Sequence, residues 1–415
     1  MRTGLALLVP LALLAAGCSK RERLNPFDPL NPSTSGRPPG FQALAGDRQV
    51  SLRWDRVTGG TFTGFQIYRR APGETDFHPL TEVLGTLNTS FRDVPLVNGA
   101  EYDYRLYFVF PFGLGSSPSE QQAAPGAAMP WLIEANGSDI IRVTPDNRHV
   151  ASRRTGFGET VDLGVNPTNG DVWVADATGG RVVIVQGTSG VTVSVPGFST
   201  PNAIGVDPAD GTAWVCDAGQ GRVYHVNRDG QFTPLSIGVL DQPVDAAVDP
   251  GPGFVWVCER GANQVSRYDF ASLQFSVPVA APSRVAVDSV THEGWVTSFA
   301  NGTVTRISTS GQVVDTFNGF TAPLGVAVDS RRGRVWIADP YAGRVTALRR
   351  DGQREFQVQG LPDAGELAVD PATGEAWAVL GSTGSVARLS PAGVILRVQG
   401  GFQFPYAIGV DPGGR

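Results

Sequence analysis

Lysine is almost missing from this chain of 415 residues: Lys20 is the only one, and arginine supplies every other fixed positive charge. Schiff-base lysine chemistry and P-loop phosphate binding are therefore excluded from the folded part. Histidine is nearly as scarce, limited to His78, His149, His225 and His292. Neither a Gly-x-Ser-x-Gly elbow nor a His-Glu-x-x-His zinc motif occurs. The formal net charge is −6 and no basic block is present, which argues against a nucleic-acid partner. The apolar run Leu5–Ala16 falls short of the roughly 20 residues that a membrane span requires. Three cysteines occur, Cys18, Cys216 and Cys258. The latter two stand two residues past a tryptophan, where other repeats carry Ile133, Ala175, Thr297, Ala338 and Val379. That is a small packing position, so buried thiols are expected there rather than a disulfide.

What the chain does have is a ladder of tryptophans at 131, 173, 214, 256, 295, 336 and 377. A period of about 40 residues with four strand-length segments per repeat predicts β-propeller blades. Seven residues before each Trp from the second onward stands Asn166, Asp207, Asp249, Asp288, Asp329 or Asp370. Most of these continue as Asp-Pro-x-x-Gly, a tight hairpin in which the carboxylate takes backbone N–H groups and Gly supplies positive φ. A second turn is expected at Gly190, Gly230, Gly311, Gly352 and Gly393, with Asn147 in that place in the first repeat.

Seven Trp strands are present, but Trp131 has no inner strand before it. The missing strand is Tyr406-Ala-Ile-Gly-Val-Asp411 at the other end of the sequence. A ring of seven blades closed by that strand leaves no open sheet edge. Segments such as Pro201-Asn-Ala-Ile-Gly-Val-Asp-Pro208 followed by Ala213-Trp-Val-Cys-Asp217 resemble the NHL repeat and the streptogramin-lyase-like and gluconolactonase-like propellers. The resemblance covers residues 129–415. It implies a fold and leaves activity open, because such propellers serve as enzymes, sensors and binding platforms.

Residues 1–18 read as a secretory signal. Leu14-Ala-Ala-Gly-Cys18 resembles the bacterial lipobox, which implies lipidation of Cys18 and attachment at the cell envelope. Ser19 rather than Asp after the Cys favours the outer membrane by family analogy. Residues 19–36 are expected as a flexible, extended tether. Residues 37–126, with Val50-Ser-Leu-Arg-Trp54, Gly64–Arg70, Glu101–Val109 and a Leu96-x5-Tyr102 corner, resemble a fibronectin type III sandwich. No Arg-Gly-Asp tripeptide is present, so the module is read as a spacer.

Candidate site positions form two rings at one end of the propeller. The outer ring, three past each Trp, is Glu134, Asp176, Asp217, Glu259, Ser298, Asp339 and Leu380. Arg181, Arg222 and Arg344 face three of its acids across the turn and read as ion pairs. Glu134 and Asp139 face each other with no cation in view, which suggests a bound metal, a basic partner or full solvation. The inner ring, four before the turn Asp or Asn, holds Asp162, Asp245, Arg284 and Glu366. Asp162, Asp245 and Glu366, with Asn202 beside them, are candidate oxygen ligands for Ca²⁺ or Mg²⁺. The rival reading is a structural or solvated rim in which Arg284 neutralises one acid.

The expectation is an all-β protein, a fibronectin type III sandwich followed by a seven-bladed β-propeller closed by the C-terminal strand. Functionally it is a lipid-anchored binding lipoprotein with protein, peptide or glycan partners and no established cofactor, more a binder than an enzyme. The competing class is a metal-dependent hydrolase or lyase with its site at the channel mouth.

Overall fold

The computed structural model describes residues 24–58, 61–115, 117–135, 138–187, 189–234, 239–250, 253–269 and 272–413. The signal segment and the lipidation candidate Cys18 lie outside the described residues. The chain is all-β, with a single short 3-10 turn, Pro340–Ala342, among the described residues. It divides into two compact units. Of the described residues, one takes 24–42, Arg53–Phe91 and Asp103–Gln121; the other takes Ala43–Leu52, Arg92–Tyr102 and 122–413.

In the first unit a six-stranded sheet is built on Gly64–Arg70 paired with Tyr102–Phe110. Alternation along Tyr102–Phe110 buries Tyr104, Leu106 and Phe108. The segment expected as an extended tether is, over its described part, folded. Asn31 is buried and its amide donates to Asn25 O (2.9 Å), while Thr34 Oγ1 donates to Pro26 O (2.7 Å). The Phe27 ring lies 4.8 Å from Phe108 and 5.3 Å from both Phe62 and Phe110. The Asn-Pro and Asp-Pro steps read as an open spacer. They make successive turns instead, and one aromatic side chain supplies enough apolar area to dock them.

The second unit contains most of a three-stranded sheet, Gln42–Gly46, Gln49–Arg53 and Ser90–Asp93. It also contains the expected corner, in which the Tyr102 hydroxyl oxygen accepts from Val97 N–H at 3.2 Å. The rest of this unit is a series of antiparallel sheets, seven of them four-stranded among the described residues. In the sixth, the order is Val326–Asp329, Arg334–Asp339, Arg344–Arg349 and Arg354–Gln359. The first sheet is completed from the far end of the chain. Pro405–Asp411 runs antiparallel to Met129–Glu134 and sets Gly409 opposite Trp131. The seven inner strands touch one another in order, and the C-terminal strand touches the inner strand of the second sheet, Thr160–Val165. The circle is closed.

The turn chemistry is as the repeat predicts. Ala209 N–H donates to Asp207 Oδ1 (2.8 Å), and Ala372 N–H to Asp370 Oδ1 (2.9 Å). The fifth repeat has His292 where the others have Gly, with φ +59. A left-handed residue with a Cβ is costly, and here the imidazole Nδ1 is held 2.6 Å from buried Asp249 of the preceding sheet.

Each Trp strand is buried except for the first residue of two of them, Phe254 and Arg334, and each indole is sandwiched between sheets. Trp377, for example, packs with Leu132, Ile141 and Ile408 of the first sheet. Opposite Trp131, Trp256, Trp295 and Trp377 the next strand places an arginine, whose guanidinium lies 5.3–5.8 Å from the ring centroid. Such contacts add modestly to burial. The small residue two before each turn Asp faces the Trp in the register, as with Gly205 and Trp214. A Cβ on Gly205 would come within 2.7 Å of Ala246 O on the neighbouring inner strand. Val206, Val248, Val287 and Val328, one before the Asp, line a recess of about 310 Å³ together with Pro167, Pro208 and Pro250, and with Ser289, Ser330 and Arg331.

Candidate functional site

The site lies at the end of the ring where the loops entering the inner strands meet the turns leaving the Trp strands. Short aspartates tie these together. Asp176 accepts from Gly158 and Gly179 N–H (both 3.0 Å), Asp217 from Ser199 and Thr200 N–H (2.7 and 2.9 Å), and Asp339 from Thr321 and Ala322 N–H (3.0 and 2.9 Å). All three carboxylates are fully buried. The ion pairs expected for two of them are present, Asp176–Arg181 at 2.7 Å and Asp339–Arg344 at 3.0 Å. Asp217 and Arg222 stand opposite each other in the register.

Where the Asp is replaced, the entering loop takes another path. Phe404, Gln242, Ala281 and Asp363, each seven before the turn Asp, have φ of +49, +51, +46 and +55. These are the sheets carrying Glu134, Glu259, Ser298 and Leu380 in place of the short acid. A carboxylate gripping successive loop N–H groups holds the backbone in its ordinary region. Without that grip the loop passes through the left-handed region, at about 1–2 kcal/mol for a residue with a Cβ. Only an alignment of loop against loop would have exposed this correlation in the sequence.

The reading of Glu134 and Asp139 as lacking a cation is corrected. Arg153, from the outer strand of the same sheet, lies 3.0 Å from Glu134 and 2.9 Å from Asp139. Glu134 Oε1 also accepts from Gln403 N–H at 2.8 Å. Arg153 was missed because the repeat pattern looks for a partner across the turn, whereas this one reaches over two strands. Asn202 is likewise committed to the frame: its amide donates to Pro243 O (2.9 Å), and its oxygen accepts from Ala218 N–H (3.2 Å).

Inside this ring the structure brings Asp162, Asp245, Arg284 and Glu366 together at the head of the channel. Asp162 Oδ2 accepts from Ile204 N–H (2.8 Å), and Asp245 Oδ2 from Val285 N–H (2.7 Å), each on the next inner strand. Arg284 Nε bonds Glu366 Oε1, and Arg284 Nη1 donates to Ser283 O (3.3 Å). Burial pushes the Asp245 carboxyl up to about 8 against the pull of Arg284, with Asp162 and Glu366 adding to the rise. Asp162 is pushed up to about 6, again chiefly by burial and again against Arg284. Burial opposes the Arg284 charge, but Glu366, Asp245 and Asp162 together hold it above its usual range. The set therefore holds one ion pair, Arg284–Glu366, beside two aspartates whose charged form is disfavoured, Asp245 more than Asp162.

This donor set does not fit a Ca²⁺ or Mg²⁺ cage. The guanidinium lies among the carboxylates, Glu366 is bound to it, and one oxygen of each aspartate is taken by backbone N–H. Hard cations of this kind require about six oxygen ligands. Among the described residues, no three His, Cys, Asp or Glu side chains gather as a metal site.

The same end of the ring carries aromatic residues that sequence reasoning did not single out. Phe299 and Tyr341, in the turns after the fifth and sixth Trp strands, meet edge to face with centroids 5.3 Å apart. Tyr341 is largely exposed, as is Phe404. Phe299 N–H donates to Ser283 Oγ (3.1 Å), next to Arg284. Tyr406, whose hydroxyl is raised to about 12 mainly by burial, lies within the field of Asp162. Alanine, glycine or proline fills most equivalent turn positions, and that contrast was the available signal.

No protein-family model and no curated protein matches the chain. Solved structures do. Virginiamycin B lyase from Staphylococcus aureus aligns with TM-score 0.51 and 16% identity over 58% of this chain and 84% of its own. A functionally unknown protein from Desulfotomaculum acetoxidans aligns with TM-score 0.57 and 14% identity over 68% and 98%. Kuenenia stuttgartiensis hydrazine synthase aligns with TM-score 0.54 and 14% identity over 63% and 92%. At such identities the likeness carries the fold alone: the chain is similar to streptogramin B lyase-like proteins in having a β-propeller fold.

Proposed function

We propose that this is an extracytoplasmic binding lipoprotein, anchored through Cys18, in which a fibronectin type III module (37–126) precedes a seven-bladed propeller (129–415). The propeller presents the Arg284 mouth to a protein, peptide or glycan. One observation carries the choice of binding over catalysis. The titratable groups of the mouth are held by one another and by backbone N–H, and no histidine stands among them to move protons. Aromatic side chains beside a fixed charged floor suit recognition of a polar ligand, through stacking and hydrogen bonds.

The second reading, a metal-dependent hydrolase or lyase, draws on the convergence of Asp162, Asp245 and Glu366. Arg284 weighs against it. Thermal melts in millimolar Ca²⁺, Mg²⁺, Mn²⁺ and Zn²⁺ are expected to show no shift. A rise in Tm that disappears in the triple variant Asp162→Asn, Asp245→Asn, Glu366→Gln would replace the binding reading with the metal one.

For the anchor, wild type is expected in the detergent phase of a phase-separation assay. Cys18→Ser is expected to accumulate as precursor or to be released. Wild-type protein that is soluble and begins at a residue other than Cys18 contradicts lipidation.

A further inference from the structure

At the opposite end of the ring from Arg284, the fifth and sixth sheets enclose an open cavity of about 670 Å³. Four arginines line it, Arg306, Arg332, Arg349 and Arg350, with Gly333, Asp351 and Glu355. The lining thus carries four arginines against two acids. We propose that the cavity is a binding site for a small molecule or sugar carrying two or more phosphate or sulfate groups.

Three of the four guanidinium groups are held in place by carboxylates. Arg350 is clamped by Asp288, Nε to Oδ2 at 2.5 Å and Nη2 to Oδ1 at 3.2 Å, and also donates to Ser330 O. Arg306 is clamped through Nε and Nη2 by Glu293, at 3.0 and 2.8 Å. Arg332 donates from Nη1 to Asp329 (3.1 Å) and from Nη2 to Ala372 O (3.1 Å). Arg306 Nη1, Arg350 Nη1 and Arg332 Nε are left without a partner among the described residues. The clamping acids Asp288 and Asp329 are buried behind the cavity wall. Asp288 remains ionised there: burial works against its charge, but the hydrogen bond from Arg350 prevails and holds its carboxyl below the usual range. Of the two lining acids, Glu355 is held by both Nε and Nη2 of Arg334, at 2.8 and 2.7 Å.

Guanidinium groups clamped by carboxylates along a cavity wall make a preorganised anion site, in which little side-chain freedom is lost on binding. Four cations spread around one cavity match several anionic groups better than a single one. The volume lies within the range of small-molecule sites. Arg349, the most exposed of the four, is paired among the described residues with exposed Asp351 at 3.3 Å and can swing onto a ligand.

Calorimetric titration of the folded protein at low salt distinguishes the two chemistries. Tripolyphosphate probes phosphate and a heparin-derived tetrasaccharide probes sulfate. At least one is expected to bind, with affinity falling as salt rises. Arg349→Glu, on a surface side chain that the fold does not need, is expected to weaken binding about tenfold or more, the equivalent of one charge-assisted bond. Arg306→Ala should weaken it similarly. Arg260→Glu, an exposed arginine at the other end of the ring, should leave it unchanged. Failure of both probes at about 1 mM, well above the Kd ordinary for a preorganised site, overturns the proposal. Equal binding by wild type and Arg349→Glu overturns it as well.

Discussion

Deleting Tyr406–Arg415 is expected to abolish soluble folding or to lower Tm by about 10 °C or more, out of proportion to ten terminal residues. The strand Pro405–Asp411 pairs with the whole of Met129–Glu134, so its loss bares that edge from Met129 to Glu134. Ile408 and Val410 belong to the core between the first and seventh sheets, and Ala407 to the core between the first and second. Burying two such side chains contributes about 3–6 kcal/mol. Asp411 also takes the ion pair of half-buried Arg142 at 2.8 Å, which would be left with a desolvated charge. The open edges are templates for aggregation. Differential scanning calorimetry and light scattering of the truncated chain check this. An unchanged Tm would mean that the ring does not depend on its terminal strand.

Arg284→Ala is expected to destabilise the propeller by about 3–5 kcal/mol at pH 8, because it leaves buried Asp245 and half-buried Asp162 and Glu366 without their cation. The loss should shrink at pH 5, where the raised carboxyl groups of Asp162 and Asp245 take up protons. In the wild type the sign follows from the direction of these shifts. A carboxyl whose folded pKa lies above its unfolded value binds more protons in the native state between the two. The contribution of these two groups to stability therefore falls as pH rises from about 4 toward 8, the window set by Asp245 and the ordinary aspartate value. Asp245→Asn keeps an oxygen for Val285 N–H and removes the titration. It should flatten this slope and raise Tm at pH 8, with each pH unit of displacement worth about 1.4 kcal/mol. A parallel pH–Tm curve for wild type and Asp245→Asn would show that the buried cluster does not govern the slope.

The repeat unit was legible because its signals are local. Trp spacing, the Asp-Pro-x-x-Gly hairpins and the left-handed turn at Gly190, Gly230, Gly311, Gly352, Gly393 and Asn147 concern residues within one hairpin, and every one of those six turn positions has positive φ. The inner ring was legible too, since strand alternation places Asp162, Asp245 and Glu366 on one side without reference to distant contacts. Arg153 on Glu134, Phe27 on Phe108 and the Asp288–Arg350 clamp join residues 19, 81 and 62 positions apart. No period relates such pairs, so no pattern in the sequence announces them.

Sequence by itself determined the strand order within each repeat, the strand missing before Trp131 and its replacement from the C-terminus, and the absence of lysine and histidine chemistry from the mouth. These follow from chirality, turn preference and the alternation of buried and exposed positions, which act over a few residues. The tertiary structure decided what the charges do. Arg284 lies among the inner acids and leaves them no cage for a metal. Four arginines from two sheets line a common cavity, two of them held by the buried carboxylates of Asp288 and Asp329. Such outcomes depend on distance and desolvation across sheets. A charged residue's role is set by which opposite charge the fold brings within hydrogen-bonding reach, and by how much water remains around both.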